Sequence, residues 1–268
     1  MEEAPANAGK AGWDVWIATT IALSTALFTA MGFLATRSYI DTLGLPNHVN
    51  IPVEGYLQHG ARFFFVLGVH MLPMGLCAGI LFLAGAGLAK WWKPFGRLVE
   101  SPAFIYLMLG GTALLTLGLE LSVLDPEPVF APGKVRDIAG EARTRLYLIE
   151  FGVAVTLTWL AARVSRLRMA RSTMVLDVLR ALALLAVLVE ILVLPLCFGH
   201  VAMMPDSFER VSLRRDNEPA NLEGVLVYSD AEDYYLYTDR RRLTQIPHRL
   251  VKEVQFEETA RLEDLAKH

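Results

Sequence analysis

Five apolar runs, separated by charged patches, dominate most of the chain: Val15–Ala35, Phe63–Ala89, Ala103–Leu124, Leu146–Ala162 and a run ending near Met204. A helix needs about 20 mostly apolar residues to cross a hydrocarbon core roughly 30 Å thick. The runs therefore predict about five transmembrane helices, an all-α polytopic membrane bundle. The second run is long for one crossing and far too short for two, so a helix tilted or kinked at Pro73 is expected. The fourth is short, and Arg143, Arg145 and Arg163 at its flanks can snorkel outward. Trp13, Trp16, Trp91 and Trp92 stand at run ends, where amphipathic rings settle at headgroup level.

The pattern changes after Pro205. Val225–Tyr228, Tyr234–Tyr237 and Thr244–Ile246 are short β-branched and aromatic segments separated by turn residues, which predicts strands. Leu250, Val254 and Phe256 suggest one more strand, Glu257 to Lys267 a helical or frayed tail, and Glu218–Asn221 a linker or turn. A β-rich unit this small has too little core to stand alone, so it should dock on the membrane domain, a second copy or a partner. The expected plan is a polar tail at 1–12, a transmembrane domain at 13–205 and a soluble domain at 206–268. The tail carries Glu2 and Glu3 but only Lys10, so it lacks a signal peptide's basic start and the first run reads as a retained span.

Composition agrees with this division. Hydrophobic residues make up 54% and charged residues 20%, against about 45–50% and 25% in soluble domains. The net charge of -3 gives no bias toward nucleic acid, and the segment after Met204 holds 14 acidic and 10 basic residues. Arg240–Arg242 beside the tyrosines therefore reads as a solvated turn. Cys77 and Cys197 lie inside apolar runs without metal-type spacing and read as buried thiols. The segment from Arg37 to Arg62, with Tyr39, Asp41, His48, Glu54, Tyr56 and His59, matches no metal or hydrolase motif and reads as a solvated loop. Asp125–Pro128 reads as a firm helix stop.

Basic residues in short loops set orientation. Lys90, Lys93 and Arg97 follow the second run, and Arg163, Arg166, Arg168 and Arg171 follow the fourth. With five spans both loops fall on one face, so the expectation is a multi-pass cell-membrane protein with a cytoplasmic N-terminus and an extracytoplasmic C-terminal domain. The third and fifth runs also align without gaps: Ala113–Leu124 and Ala183–Leu194 share six of twelve residues, including Glu120 and Glu190. A tandem helical-hairpin repeat is one explanation, and chance agreement between Leu-rich spans is the other.

The candidate chemistry lies in the few ionisable groups within the runs. His70, Glu120, Glu150 and Glu190 all fall in the central-to-outer membrane, with His200 nearer an end. A charge at the bilayer centre costs roughly 2.5–3.5 kcal/mol on insertion scales, so such residues face a polar interior. A cavity lined by these four and opening outward could bind a cation, pass protons, or hold a divalent metal through oxygen and nitrogen ligands. The structural alternative is that each acid pairs with an arginine at the outer interface, Arg143 or Arg145, or is protonated and hydrogen-bonds a neighbouring helix. Pro73 and Pro195 free backbone carbonyls, and Gly75, Gly79, Gly110 and Gly111 suit close helix approach. No P-loop, Gly-x-Ser-x-Gly or His-Glu-x-x-His motif occurs, and no motif names a cofactor. Three readings follow: a channel- or transporter-like protein handling protons or a small cation, a non-enzymatic subunit or receptor whose β domain binds a partner, and an enzyme using His70 and a glutamate around a metal. The partners implied are the lipid bilayer and a second copy or a partner membrane subunit.

Overall fold

The computed structural model describes residues 8–46, 49–124, 127–136, 139–169, 173–216, 221–238 and 240–267. Its helices are α1 (Ala8–Leu43), α2 (Val53–Trp91), α3 (Lys93–Glu100), α4 (Pro102–Val123), α5 (Ala139–Met169) and α6 (Met174–Cys197), the last continued by a π turn at Phe198–Ala202. A two-stranded hairpin, β1 (Phe130–Ala131) and β2 (Lys134–Val135), joins α4 to α5. Among the described residues five helical segments are long and apolar enough to cross a membrane: Val15–Leu43, Val53–Trp91, Pro102–Val123, Ala142–Ala162 and Met174–Ala202. α2 runs unbroken through Pro73. Two chain breaks are set locally: Pro102 begins α4 where its missing N–H costs nothing, and Thr173 caps α6 by accepting from the Leu176 N–H.

The five long helices form a ring in the order α1, α2, α5, α4, α6, closed by α6 and its π turn against α1. Although consecutive in sequence, α5 and α6 scarcely touch; α4 lies between them. Backbone approach at glycine sets the tightest crossings. A Cβ built on Gly60 would meet the Phe28 carbonyl oxygen at 1.8 Å, one on Gly32 the Tyr56 oxygen at 1.8 Å, and one on Gly199 the Ala35 oxygen at 1.9 Å. Small residues at such points let helix backbones approach closely. Of the glycines singled out by sequence, only Gly110 meets a neighbour, Ala183 of α6; Gly75, Gly79 and Gly111 face open space. Large apolar side chains such as Leu72, Leu115 and Leu185 point away from the ring. Cys197 is buried, whereas Cys77 is exposed on α2, contrary to expectation.

The C-terminal sheet comprises β3 (Ser207–Arg215), β4 (Leu222–Ser229), β5 (Asp233–Thr238), β6 (Arg242–Pro247) and β7 (Val251–Arg261), followed by α7 (Leu262–Lys267). It is antiparallel, in the order β6-β5-β4-β3-β7, so the last strand pairs with the first. One face buries Val211, Leu213, Leu236 and Ile246. The other face packs Phe208, Val225, Val227, Tyr235 and Tyr237 against Phe130 of the hairpin and Ile40, Leu43 and Leu45 at the end of α1. The sheet thus docks on the helical bundle, one of the three options its size allowed.

Several boundaries differ from the sequence reading. Arg37–Arg62 is mostly helix: α1 runs to Leu43 and α2 starts at Val53, and Tyr39, Tyr56 and His59 are half-buried. Packing against the sheet and between the two helices carries both helices past their apolar runs. Helix begins at Ala8, inside the segment expected as a tail. Residues 257–261 extend β7, where pairing with β3 overrides the polar composition. Glu2, Glu3, His48, Asp125, Pro126, Arg171 and residues 217–220 lie outside the described residues, so the linker and the first half of the helix stop are not described.

Asp230 locks the β4–β5 turn to the bundle. Its carboxylate accepts from the backbone N–H groups of Glu232, Asp233 and Asn50, the last in the α1–α2 link, and from the Tyr235 hydroxyl. Partial burial opposes its ionisation, but these donors outweigh burial and hold the carboxyl below the usual aspartate range. A folded-state pKa below the unfolded one gives stability that is present above the ordinary aspartate pKa and lost as pH falls through the depressed value. Acid titration followed by tyrosine near-UV dichroism should therefore show wild-type protein losing stability below about pH 4, with that acid-side loss reduced in Asp230→Asn.

Candidate functional site: a buried acidic layer

Contacts between helices fix the heights of the four sequence-selected residues. Gly152 of α5 abuts Thr116 of α4. Glu120 lies four residues beyond Thr116 toward the sheet and Glu150 two residues beyond Gly152 in the same direction, so at 1.5 Å per residue they stand within about 3 Å in height. Gly110 abuts Ala183 on the parallel α6, which leaves Glu120 and Glu190 about 4–5 Å apart along the helix axes. Glu150 meets His70 directly. All four residues occupy one layer.

Within that layer the side chains form two pairs. His70 Nδ1 lies 2.9 Å and 3.1 Å from the two oxygens of Glu150. The Glu150 side chain is 3% exposed and that of His70 33%, which sets this pair at the edge of the α2–α5 seam, with the Tyr147 ring 5.6 Å from the imidazole. The second pair lies between α4 and α6. Glu120 and Glu190 are both fully buried and within electrostatic range of each other. Thr156 of α5 donates to Glu190 Oε1 at 3.4 Å, and the Cys197 thiol reaches the Glu120 backbone carbonyl at 3.5 Å. Among the described residues, both oxygens of the Glu120 carboxyl and Oε2 of Glu190 have no hydrogen-bond partner.

The arginines proposed as alternative partners are engaged elsewhere: Arg143 with Asp206, and Arg145 with the Ser122 carbonyl. A bare carboxylate in such a place costs several kcal/mol. Two buried carboxyls within electrostatic range of each other, with no basic partner among the described residues, need a proton or a bound cation to offset their charge. The His70–Glu150 pair already contains its own proton donor. Replacing His70 by Phe should leave the Glu150 carboxyl unpartnered and cost about 0.5–2 kcal/mol, measured as thermal stability in detergent, with His70→Gln recovering part of the loss.

Two histidines outside the four candidates have similar anchoring. Thr42 donates to the Ser38 carbonyl at 2.6 Å, and because a hydroxyl has one proton it accepts from His200 Nδ1–H at 2.7 Å. Thr36 donates to the Gly32 carbonyl at 2.6 Å and accepts from His59 Nδ1–H at 2.8 Å. His200 is buried within the π turn, a local unwinding often found at functional sites. The sequence placed His200 near the end of its run and gave no sign of the π turn. His59 was hidden by the reading of its segment as a loop.

Among the described residues no group of three His, Cys, Asp or Glu side chains is arranged to hold a metal ion, so the metal-enzyme reading has no ligand set there. No family model matches the chain, and neither a curated protein nor a solved structure shows significant similarity to it.

Proposed function

We propose that this chain is a multi-pass membrane protein of channel- or transporter-like type, handling protons or a small cation through the Glu120–Glu190 pair. One observation carries the reading: two fully buried carboxyls share a seam with no basic partner among the described residues, where three of their four oxygens lack a hydrogen bond. A purely structural position would be filled at less cost by leucine, which predominates in the surrounding helices. Thr156 and Thr116 supply hydroxyls beside Glu190, and His70–Glu150 lies at a similar height on the α2–α5 seam.

The basic loops after the second and fourth spans favour a cytoplasmic N-terminus and an extracytoplasmic sheet domain. In the ring, α4 packs against α6 and α2 against α5. These are the helix pairs that a tandem hairpin duplication would relate, and the acidic pair would then bring together the two equivalent glutamates. The testing experiment is flux in liposomes: purified protein should move protons or a monovalent cation down a gradient, and the variant lacking both carboxylates should not.

A second reading, a non-enzymatic membrane subunit, is favoured by the open face of α2. Gly68, Gly75 and Gly79 have nothing within 4 Å and lie along a helix surface that a partner helix could approach. Stoichiometric co-purification of a partner, with no flux by the isolated chain, would favour it over transport.

A further inference from the structure

The sheet face that docks on the bundle continues past its apolar part into a cleft of about 570 Å³. The C-terminal sheet, α7 and the hairpin between α4 and α5 build it. β3, β4 and β7 contribute Arg210, Glu223 and Glu257, the β1–β2 hairpin contributes Lys134, and Arg241 and Asp264 stand at the remaining walls. The hairpin is held by the Gly133 N–H donating to the Arg241 carbonyl at 2.9 Å, by the Arg241 guanidinium donating back to the Gly133 carbonyl at 3.2 Å, and by Phe130 packing on Tyr237 with ring centroids 5.2 Å apart. Leu262, nearly fully buried in the same core, fixes α7.

The charges in this cleft alternate in sign across three adjacent strands. Val225, the partner of Arg210 on β4, is two residues from Glu223. On the other side Val211 pairs with Phe256, the neighbour of Glu257. Arg210 thus has a carboxylate diagonally placed on each adjacent strand, near enough for a cross-strand ion pair. Among the described residues Arg210, Lys134, Glu223 and Glu257 nevertheless form no ion pair. Charges of both signs stand apart around an open volume, within the range of about 300–1,000 Å³ usual for small-molecule sites.

We infer that this cleft binds a small zwitterion, with its anionic end at Arg210 and Lys134 and its cationic end at Glu223 and Glu257. A molecule carrying both charges a few bonds apart satisfies both sets at once, whereas a simple anion or cation leaves one set facing its own sign. Free short peptides and the ethanolamine headgroup of a phospholipid share this chemistry.

Isothermal calorimetry on the full chain in detergent tests the inference with three probes: trialanine, glycerophosphoethanolamine, and trialanine blocked at both ends. Saturable binding of a free zwitterion is expected, with no binding of the blocked peptide and affinity lowered about tenfold or more in Arg210→Gln and in Glu257→Gln. Binding of trialanine would mark a free peptide as the source, and binding of glycerophosphoethanolamine a lipid headgroup. Three results would overturn the site: no saturable binding of either zwitterion, blocked peptide binding as tightly as free, or unchanged affinity in both variants. The blocked-peptide comparison needs no variant, so a folding defect cannot obscure the answer.

Discussion

Liposomes carrying the Glu120→Gln, Glu190→Gln double variant are expected to pass about tenfold less proton or cation flux than wild type, or less still. The side chains are nearly isosteric, so the packing around Ala183, Thr116 and Thr156 should survive. What is removed is the capacity of two buried carboxyls to exchange charge. Each single variant leaves one carboxyl, which can still hold a proton, so an intermediate loss is expected from either alone. Because Glu120 has both oxygens unpartnered and Glu190 one, the variant protein should be at least as stable as wild type: an amide lacks the charge whose desolvation opposes burial. Lower flux together with undiminished thermal stability would separate a functional pair from a structural one. Flux unchanged in the double variant would remove both residues from the mechanism.

The second large effect concerns the α1–α2 crossing. Gly60→Ala places a methyl group 1.8 Å from the Phe28 carbonyl oxygen, and the obstacle is backbone, which cannot rotate aside. The helices must separate, so the loss should lie at or above the upper end of the roughly 1–3 kcal/mol usual for overpacking. Gly32→Ala meets the Tyr56 oxygen at 1.8 Å from the other side of the same crossing and should behave alike. The two losses should not add, since either substitution opens the same contact. Gly75→Ala, facing open space on α2, is the control and should leave stability in detergent unchanged. Thermal unfolding of the three purified variants tests this directly. A Gly60→Ala protein as stable as wild type would mean that the helices do not cross as described.

The sequence exposed some of this architecture plainly and concealed the rest for physical reasons. Hydrocarbon thickness dictates both the length and the apolarity of a spanning helix, so the five runs were legible from Val15 to Met204 without knowledge of their packing. β4, β5 and β6 were legible because Val225, Val227, Tyr235, Tyr237 and Ile246 carry the β-branched and aromatic signature of paired strands. β3 was not: its alternation of Phe208, Val211 and Leu213 is interrupted by Glu209, Arg210, Arg214 and Arg215, and a bulge after Glu209 shifts the register. The ends of α1 and α2 were concealed because their polar residues face each other or the sheet, as Thr36 faces His59, and composition alone cannot distinguish that from solvent.

The acidic layer was legible as a common depth, since ionisable residues are rare in apolar runs. Its division into two pairs was not, because that depends on the ring order α2, α5, α4, α6, which is a property of packing. Glu150 turns toward His70 of α2, while Thr156, six residues along the same helix, turns toward Glu190 of α6. The glycines illustrate the same limit. Gly75 and Gly79 have the spacing of a helix contact, yet the real crossings use Gly32, Gly60 and Gly199.

Infrared difference spectroscopy of the reconstituted protein, stepped in pH or cation concentration, probes the Glu120–Glu190 pair itself. A carboxyl band that interconverts with its carboxylate form across the step, present in wild type and absent when both glutamates are replaced by glutamine, is the expected result. Spectra of the two proteins that coincide through every step would mean that these acids exchange neither proton nor cation, and that their burial serves packing alone.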